Sequence, residues 1–269
     1  MMSVIVCARE NMSLDTVFRL DQKRAVITGG ASGIGGAIAE VFVKAGALVT
    51  VLDLDAEKSV AAASALGANA KGIACDVSDE HSVANAFAEI RADGGCDILV
   101  NSAGIAHIGP LAACEPSDFD RLFRVNVRGA YLCMKAAVEL MQPAKSGVIL
   151  NLASIAATSG LPDRFAYSMT KGAVLSMTLS VARDYIADNI RCNCISPARV
   201  HTPFVDGFVS RTYPGREAEM MEKLSKSQPI GRMGTPAEIA LLALYLCSPA
   251  SSFVTGVDYP IDGGFINLR

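Results

Sequence analysis

The chain has 269 residues, 51% of them hydrophobic, which is enough to bury the core of one α/β domain at the upper end of the usual size range. Its net charge of -3 and its isoelectric point near 5.7 give no electrostatic reason to expect nucleic acid or an anionic membrane as a partner. The apolar run at residues 4–8 is too short for a signal sequence or a membrane span. We therefore expect a soluble, cytoplasmic protein.

Cysteine and histidine usage argues against a metal centre. The eight cysteines lie in apolar stretches without a Cys-x-x-Cys pair, and His81, His107 and His201 are not at ligand spacing. Free cysteine is among the most buried residue types. We predict reduced core cysteines and no metal site.

Short β-branched runs alternate along the chain with longer amphipathic segments, which is typical of successive βα units. The pattern predicts a single doubly wound α/β domain with a central parallel sheet and helices on both faces. Strands are predicted at Arg24–Thr28, 48–52, 71–75, Ile98–Asn101, 148–152 and 191–195, with a last strand that includes Asp258–Ile261. Helices are predicted at 34–45, Ala56–Leu66, Glu80–Ala92, 121–141 and 166–187, with another that starts near Pro236.

Two segments fall outside this rhythm. Residues 1–18 show no clear element and are interpreted as a tail before a single catalytic domain at 19–269. Residues 204–228 mix aromatic and charged side chains and form a long connection, which in a compact domain is more often functional than incidental. Met220, Met221 and Leu224 give this interval an apolar face, which favours a substrate lid over a disordered linker.

The first predicted strand leads into a glycine-rich turn. Residues 28–35 have the sequence TGGASGIG, and the next predicted helix starts at its end. Glycines let the backbone approach a pyrophosphate, and the helix N-terminus presents free N–H groups to its charge. The spacing departs from the commoner Gly-x-Gly-x-x-Gly version, so the turn alone is also compatible with a tight turn that binds nothing.

Polar residues at the ends of the next strands favour NAD as the ligand of this turn. Asp53 closes the second strand where a carboxylate accepts hydrogen bonds from adenine-ribose hydroxyls and repels a 2′-phosphate. Neither Ser32 nor Leu54 supplies the cation that NADP would need. Asp76 and Val77 after the third strand, and residues 101–104 after the fourth, fall on the same carboxyl edge of the sheet.

A later group of three residues, Ser154, Tyr167 and Lys171, suggests proton transfer. Tyr167 and Lys171 are four apart and share one helix face, and Ser154 lies a short loop upstream. A neighbouring ammonium stabilises a phenolate, so we expect Lys171 to lower the pKa of Tyr167.

The glycine turn, Asn101-Ser-Ala-Gly104, Asn126, Ser154, Tyr167-x-x-x-Lys171 and residues 197–202 closely resemble the motifs of the short-chain dehydrogenase/reductase family, in that order and spacing. The resemblance covers residues 23–264 and implies a Rossmann-type fold and an NAD(P)-dependent oxidoreductase acting on CH–OH groups. Two residues depart from the family pattern: Ser102 replaces an asparagine, and Ala198 replaces a glycine and restricts the backbone beside the nicotinamide.

The resemblance also implies the residues of the site. By it Tyr167 is the general acid/base, Ser154 binds the substrate oxygen, Lys171 also binds the nicotinamide ribose, and Asn126 holds a water that relays the proton. The implied NAD-binding residues are Gly29, Ser32, Gly33, Ile34, Gly35, Asp53, Asp76, Val77, Asn101, Ala103, Gly104, Tyr167, Lys171, Pro197, Val200 and Thr202.

Basic residues near these motifs indicate the substrate class. Arg164, Arg199, Arg211 and His107 are candidate substrate residues beside Ser154 and Tyr167, since arginine presents a planar fork to carboxylates. Solvated surface arginines are the alternative. Residues 163–168 and 202–211 resemble family members that oxidise sugars or sugar acids of the L-fucose and 2-keto-3-deoxy sugar acid type, so we expect a dehydrogenase of such a secondary alcohol.

Other functions remain open at this stage. A short-chain 3-hydroxy acid dehydrogenase or a 3-oxoacyl reductase would share the chemistry, although Asp53 speaks against the NADPH that the reductase would use. A sensor that only binds NADH would have no reason to keep Ser154, Tyr167 and Lys171 together. The resemblance further implies a homotetramer built through helices 121–141 and 166–187 and the C-terminal segment.

Overall fold

The computed structural model describes residues 13–268 and contains one seven-stranded parallel sheet. Its strands are β1 (Arg24–Thr28), β2 (Leu48–Asp53), β3 (Ala70–Ala74), β4 (Ile98–Asn101), β5 (Gly147–Leu152), β6 (Ile190–Pro197) and β7 (Asp258–Ile261). Across the sheet the order is β3-β2-β1-β4-β5-β6-β7. The predicted doubly wound sheet is confirmed, and the strand order reverses between β1 and β4, where such folds bind their ligands.

Helices cover both faces of the sheet. They are α1 (Leu14–Val17), α2 (Gly33–Lys44), α3 (Ala56–Leu66), α4 (Glu80–Ala92), α5 (Pro116–Leu122), α6 (Gly129–Ala144), α7 (Phe165–Asp184), α8 (Pro203–Thr212), α9 (Glu217–Lys226) and α10 (Pro236–Cys247). Helices α2, α3 and α10 pack on one face, and α4, α6 and α7 pack on the other.

Side chains that follow each other along the central strands point into two different hydrophobic clusters. Val26, Leu99 and Ile149 belong to the cluster under α4 and α6. Their successors Ile27, Val100 and Leu150 belong to the cluster under α2 and α10. Because both faces are covered, these strands are continuously apolar, which is the pattern of a buried parallel sheet.

The carboxyl ends of the central strands meet at one edge. Thr28 is in register with Asn101, Asn101 with Asn151, and Leu152 with Ile195. The segments that follow these strands therefore start side by side, although they lie far apart in the sequence.

The segment predicted as one helix at 121–141 is divided in the structure. Helix α5 begins earlier, with Pro116 in its first turn, where the missing N–H of proline costs no hydrogen bond. A π-helical turn at Phe123–Arg128 then separates α5 from α6. Such turns interrupt the regular ladder and are frequent at functional sites.

The interval predicted as a lid contains two helices that the sequence analysis did not assign. Thr202 caps α8 by accepting a hydrogen bond from the N–H of Val205 at 3.4 Å, and Pro203 occupies its first turn. In α9 the apolar face buries Met220. The two helices pack against each other.

The N-terminal interval is described only from residue 13, so most of the predicted tail at 1–18 lies outside the described residues, and α1 is the element found in its last part. Seven cysteines are described, all unpaired and six of them buried, while Cys7 lies outside the described residues. No helix within residues 13–268 is both long and apolar enough to cross a bilayer.

Gly72 in β3 marks a direct contact between strand and helix backbones. A Cβ atom at this position would overlap the backbone of Ser59 in α3. We expect Gly72→Ala to lower the free energy of unfolding by about 1–3 kcal/mol, because α3 would have to move off the sheet. Urea denaturation measures the change. Gly160→Ala is the matched control, since no atom lies within 4 Å of its Cβ position; equal stability of the two variants would contradict this packing.

Candidate functional site

The glycine turn after β1 is closed so tightly that side chains are excluded. Gly29 and Gly33 have φ angles of +63° and +56°, which glycine adopts without strain. A Cβ at Gly35 would overlap the carbonyl oxygen of Gly29. Helix α2 begins at Gly33, and its N-cap residue Ser32 makes no side-chain capping bond. The first N–H groups of α2 are therefore presented to the space in front of the turn, an arrangement that suits an anion.

The turn packs directly on the segment after β4. The Thr28 hydroxyl oxygen accepts hydrogen bonds from the N–H groups of Ser102 and Ala103, both at 3.1 Å. A Cβ at Gly29 would lie 2.9 Å from the Cα of Ala103. On the other side, the side chain of Thr202 lies 3.8 Å from the Cβ position of Gly33. Segments from three different strand ends thus surround one groove.

Asp53 ends β2 beside this groove. Its Oδ2 accepts a hydrogen bond from the N–H of Ala31 in the glycine turn at 3.3 Å. The carboxylate is therefore fixed next to the turn and is half-buried. Together the glycine turn, the helix N-terminus and this carboxylate fit a nicotinamide dinucleotide.

Asp76 and Val77, which follow β3, have different surroundings. The Asp76 carboxylate accepts hydrogen bonds from the N–H and hydroxyl of Ser78 at 2.9 and 2.8 Å, so its side chain stabilises its own turn. Val77 is buried, and its side chain lies against Gly129 at the start of α6.

The Lys171 ammonium is buried where β5 ends. Its Nζ donates a 2.7 Å hydrogen bond to the carbonyl oxygen of Leu152 and lies 5.8 Å from the centroid of the Tyr167 ring. Burial lowers the pKa of Lys171 to about 8, because removal from water disfavours the charged form.

Tyr167 corrects one expectation from the sequence. Burial raises the pKa of its phenol above the ordinary value, while the Ser154 hydroxyl and the Arg164 guanidinium act in the opposite direction. The predicted net lowering of the Tyr167 pKa by Lys171 is therefore wrong for the described structure. Desolvation of the phenolate outweighs the favourable charges, and Arg164, the residue that caps the start of α7, is a cation that favours the phenolate.

Ser154 lies between the Tyr167 helix and the end of β6. Its Oγ accepts a hydrogen bond from the N–H of Ala156 at 3.2 Å and donates one to the carbonyl oxygen of Pro197 at 3.5 Å. The hydroxyl is thereby held at the start of a short 3₁₀ turn, Ile155–Ala157, that packs against α7.

Asn126 holds the loop after β4 through both ends of its amide. Its Oδ1 accepts from the N–H of Ile105 at 2.8 Å, and its Nδ2 donates to the Ile105 carbonyl at 2.8 Å and to the Thr170 hydroxyl at 3.1 Å. The π-helical turn directs this side chain inward and leaves it buried.

A small cavity separates Asn126 from the sheet. Its polar walls are Thr28, Asn101, Asn126 and Lys171, and its volume of about 10 Å³ matches one water molecule. Asn101 donates to Asn151 at 2.8 Å, but its buried Oδ1 has no partner. An ordered water in this cavity would satisfy that oxygen.

A second and larger cavity of about 440 Å³ lies between the loop after β4, the start of α7 and the helix pair α8 and α9. It brings together the predicted substrate residues His107, Arg164, Arg199 and Arg211. The complete lining is Ile105, Ala106, His107, Ile108, Arg121, Arg164, Arg199, Val205, Phe208, Arg211 and Leu224.

Backbone bonds fix Arg164 at this cavity. Asp163 has a φ of +57°, and its carbonyl accepts from the N–H of Gly109 at 2.9 Å. This bridge joins the start of α7 to the loop that carries His107. The Arg164 Nη1 donates to the His107 carbonyl at 3.5 Å, and burial lowers the pKa of the guanidinium.

Two residues of this region were not found from the sequence. Arg121 lines the cavity and pairs with Asp118 at 2.9 Å. Gln228 is buried, and its amide accepts from the N–H of Arg199 at 3.1 Å and donates to the carbonyls of Arg199 and Arg232 at 3.3 and 2.9 Å. Arg121 could have been suggested by its place in a run of basic residues near the end of α5. No sequence signal marks Gln228.

Comparisons with known proteins agree with this geometry. A family model described as enoyl-(acyl carrier protein) reductase matches residues 29–266. The chain is 38% identical to 2-keto-3-deoxy-L-fuconate dehydrogenase of Xanthomonas campestris pv. campestris over 93% of this chain and 82% of that protein. It is also 38% identical to D-threitol dehydrogenase of Mycolicibacterium smegmatis, over 95% of this chain and 97% of the relative.

Among solved structures, the ligand-free aldohexose dehydrogenase of Thermoplasma acidophilum superposes with a TM-score of 0.82 at 31% identity. The match covers 91% of this chain and 94% of that structure. With relatives that span nearly its whole length, and with the glycine turn and the Ser154, Tyr167 and Lys171 side chains gathered at one edge of the sheet, the chain belongs to the short-chain dehydrogenase/reductase family of nicotinamide-dependent oxidoreductases.

Proposed function

We propose that the protein is an NAD-dependent dehydrogenase that oxidises a secondary alcohol of a sugar or sugar acid to a carbonyl. The observation that carries this proposal is the position of Arg164. It lies three residues before Tyr167, acts on the phenol electrostatically, and lines the 440 Å³ cavity. The cavity that can bind an anionic substrate is thus joined to the group that can accept the alcohol proton.

Dependence on NAD is supported by Asp53. Its carboxylate is fixed against the glycine turn, where it can accept hydrogen bonds from two ribose hydroxyls but would repel a phosphate ester. The bound nicotinamide would supply the hydride acceptor, and the chain itself supplies alignment and charge.

The roles proposed for the chain's own side chains follow from their positions. Ser154 binds the substrate oxygen, and Tyr167 takes the hydroxyl proton. The Lys171 ammonium, anchored on Leu152, supports the phenolate and faces the one-water cavity beside Asn126. A water there is positioned to pass the proton outward. Helices α8 and α9 form the outer wall of the substrate cavity, in keeping with a lid at residues 204–228.

We also propose that the protein is a homotetramer. Apolar side chains are exposed on and beside α6, α7 and α10 and at the C-terminal end, where Phe253 is fully exposed. They are Phe123, Tyr131, Leu179, Ile186, Leu241, Phe253, Val257 and Leu268. Contacts between copies would remove this surface from water.

Light scattering coupled to size-exclusion chromatography tests the assembly. We expect a mass about four times that of the 28.1 kDa subunit. Phe253→Lys should lower this mass, because a charge would be buried at the contact. A wild-type protein that elutes as a single subunit at micromolar concentration would exclude the tetramer.

The proposed role of Asp53 predicts that its removal shifts the cofactor preference from NAD toward NADP. We expect Asp53→Ala to raise the KM for NAD about 10- to 100-fold, because charge-assisted hydrogen bonds to the ribose are lost, and to improve the use of NADP. Initial rates with both cofactors measure this. Asp55→Ala removes a nearby carboxylate that caps α3 and should leave both KM values unchanged. An unaltered NAD/NADP ratio in Asp53→Ala would refute the role of Asp53.

The dehydrogenase assignment depends on the Tyr167 phenol. We expect Tyr167→Phe to reduce kcat by about 10²- to 10⁴-fold, while NADH binding changes little, because only proton transfer is lost. Absorbance of NADH with a panel of L-fucose, other aldoses, 2-keto-3-deoxy sugar acids and 3-hydroxybutanoate gives the rates, and NADH fluorescence gives binding. Tyr185→Phe, at the other end of α7, is the matched control. Near-native turnover of Tyr167→Phe would remove the proposal, and tight NADH binding without turnover of any alcohol would favour a sensor.

A further inference from the structure

The hydrogen-bonding side chains that line the 440 Å³ cavity are all basic. Its polar side chains are the guanidinium groups of Arg121, Arg164, Arg199 and Arg211 and the imidazole of His107, and all other lining residues are alkyl or aromatic. A guanidinium has five N–H donors and no acceptor. Among the described residues that line the cavity there is no carboxylate, carboxamide or hydroxyl side chain.

His107 does not change this balance. Its Nδ1 is buried without a partner, and its Nε2 lies 3.7 Å from Oδ2 of Asp118. The same Asp118 carboxylate accepts from Arg121 at 2.9 Å. Asp118 therefore compensates the charge on one rim of the cavity.

Two of the guanidinium groups form no ion pair within residues 13–268. Arg164 forms no ion pair in this range, its Nη1 donates a 3.5 Å hydrogen bond to the His107 carbonyl, and the neighbouring Asp163 carboxylate acts on it only electrostatically. Arg211, at the end of α8, forms neither an ion pair nor a side-chain hydrogen bond in the described part of the chain. Arg164 is half-buried and Arg211 is exposed, and because neither guanidinium is held by a carboxylate of the described residues, both can pair with an acid group of a ligand.

The same lining is unfavourable for a hydroxyl-rich ligand. Each ligand hydroxyl carries a donor hydrogen that must be satisfied, and a buried donor without an acceptor costs about 1–3 kcal/mol. A carboxylate has acceptors only, and methylene groups fit the alkyl and aromatic wall formed by Ile105, Val205 and Phe208.

From this lining we infer that the preferred substrate is a short hydroxy acid in which the carbons between the acid group and the reacting carbinol carry no hydroxyl. The acid group pairs with Arg164 and Arg211, and the hydroxyl-free carbons lie against the apolar wall. This inference rests on the proposed function and narrows it, since it favours deoxygenated acids over polyols and neutral sugars.

Binding to the NADH-saturated protein tests the inference without turnover. Calorimetry with butanoate, 2,3-dihydroxybutanoate and threitol compares one acid, a hydroxylated acid and a neutral polyol. We expect butanoate to bind about 10-fold or more tightly than either hydroxylated compound, which corresponds to one unsatisfied buried donor. Butanoate binding that is no tighter than that of threitol or 2,3-dihydroxybutanoate, or that is absent, would overturn the inference.

Variants identify the acid-binding side chains. Arg211→Leu should weaken butanoate binding about 10-fold or more, because a charge-assisted pair is lost. Arg216→Leu is the matched control, since Arg216 is exposed, pairs with Glu219 at 2.7 Å and does not line the cavity. Equal weakening in the two variants would show that general surface charge, and not the cavity, attracts the acid.

Turnover separates this inference from the proposed function. The values of kcat/KM for 3-hydroxybutanoate should exceed those for its methyl ester and for 2,3-dihydroxybutanoate about 10-fold or more. Faster oxidation of threitol or of the hydroxylated acid would overturn the inference and leave the dehydrogenase assignment intact. If no alcohol were oxidised while butanoate kept its binding advantage, the acceptor-only preference of the cavity would stand and the dehydrogenase assignment would fail.

Discussion

The site is built around the buried ammonium of Lys171, because a charge removed from water needs polar partners inside the protein. Water is largely removed from it, which is why its pKa falls to about 8, and the Leu152 carbonyl provides its hydrogen bond inside the protein. That carbonyl belongs to the end of β5, so the position of the amine depends on the register of the sheet as well as on α7. The Asn126 amide and the one-water cavity complete the polar surroundings. Hydride chemistry with a nicotinamide needs such a dry site with a few fixed polar groups.

The 440 Å³ cavity has the opposite character, because two of its guanidinium groups form no ion pair in the described part of the chain. These groups belong to Arg164 and Arg211, which line the cavity from the start of α7 and the end of α8. Their positions are set by backbone bonds of other residues: the Asp163–Gly109 bridge fixes the start of α7, and the Gln228 amide fixes the segment that carries Arg199. Specificity therefore depends on loops and helix ends attached to a scaffold that many relatives share.

The elements predicted from the sequence agree with the structure where the signal comes from residues close together in the chain. The strands β1 and β4 and the helices α3 and α4 have the bounds that were predicted, because short β-branched runs and longer amphipathic segments are local signals. The π-helical turn at Phe123–Arg128 was missed because its segment also has helical periodicity, and the turn becomes visible only through the bonds between Asn126 and Ile105. The amphipathic helix α9 was not predicted, because the turn-forming residues Gly207, Pro214 and Gly215 in the same interval suggested a loop.

The sequence by itself determined the α/β architecture, the glycine turn before α2, and the face that Tyr167 and Lys171 share on α7, since each depends on residues within one or two turns of chain. Only the tertiary structure decided that Arg121 lines the 440 Å³ cavity and that Gln228 holds the segment of Arg199, that Arg164 acts on the phenol, and that the cavity wall offers side-chain donors without side-chain acceptors. These properties arise from side chains that are separated by tens of residues and meet only when the parallel strands align their carboxyl ends. Desolvation and charge balance at such a meeting point depend on all neighbours at once, and no local pattern encodes them.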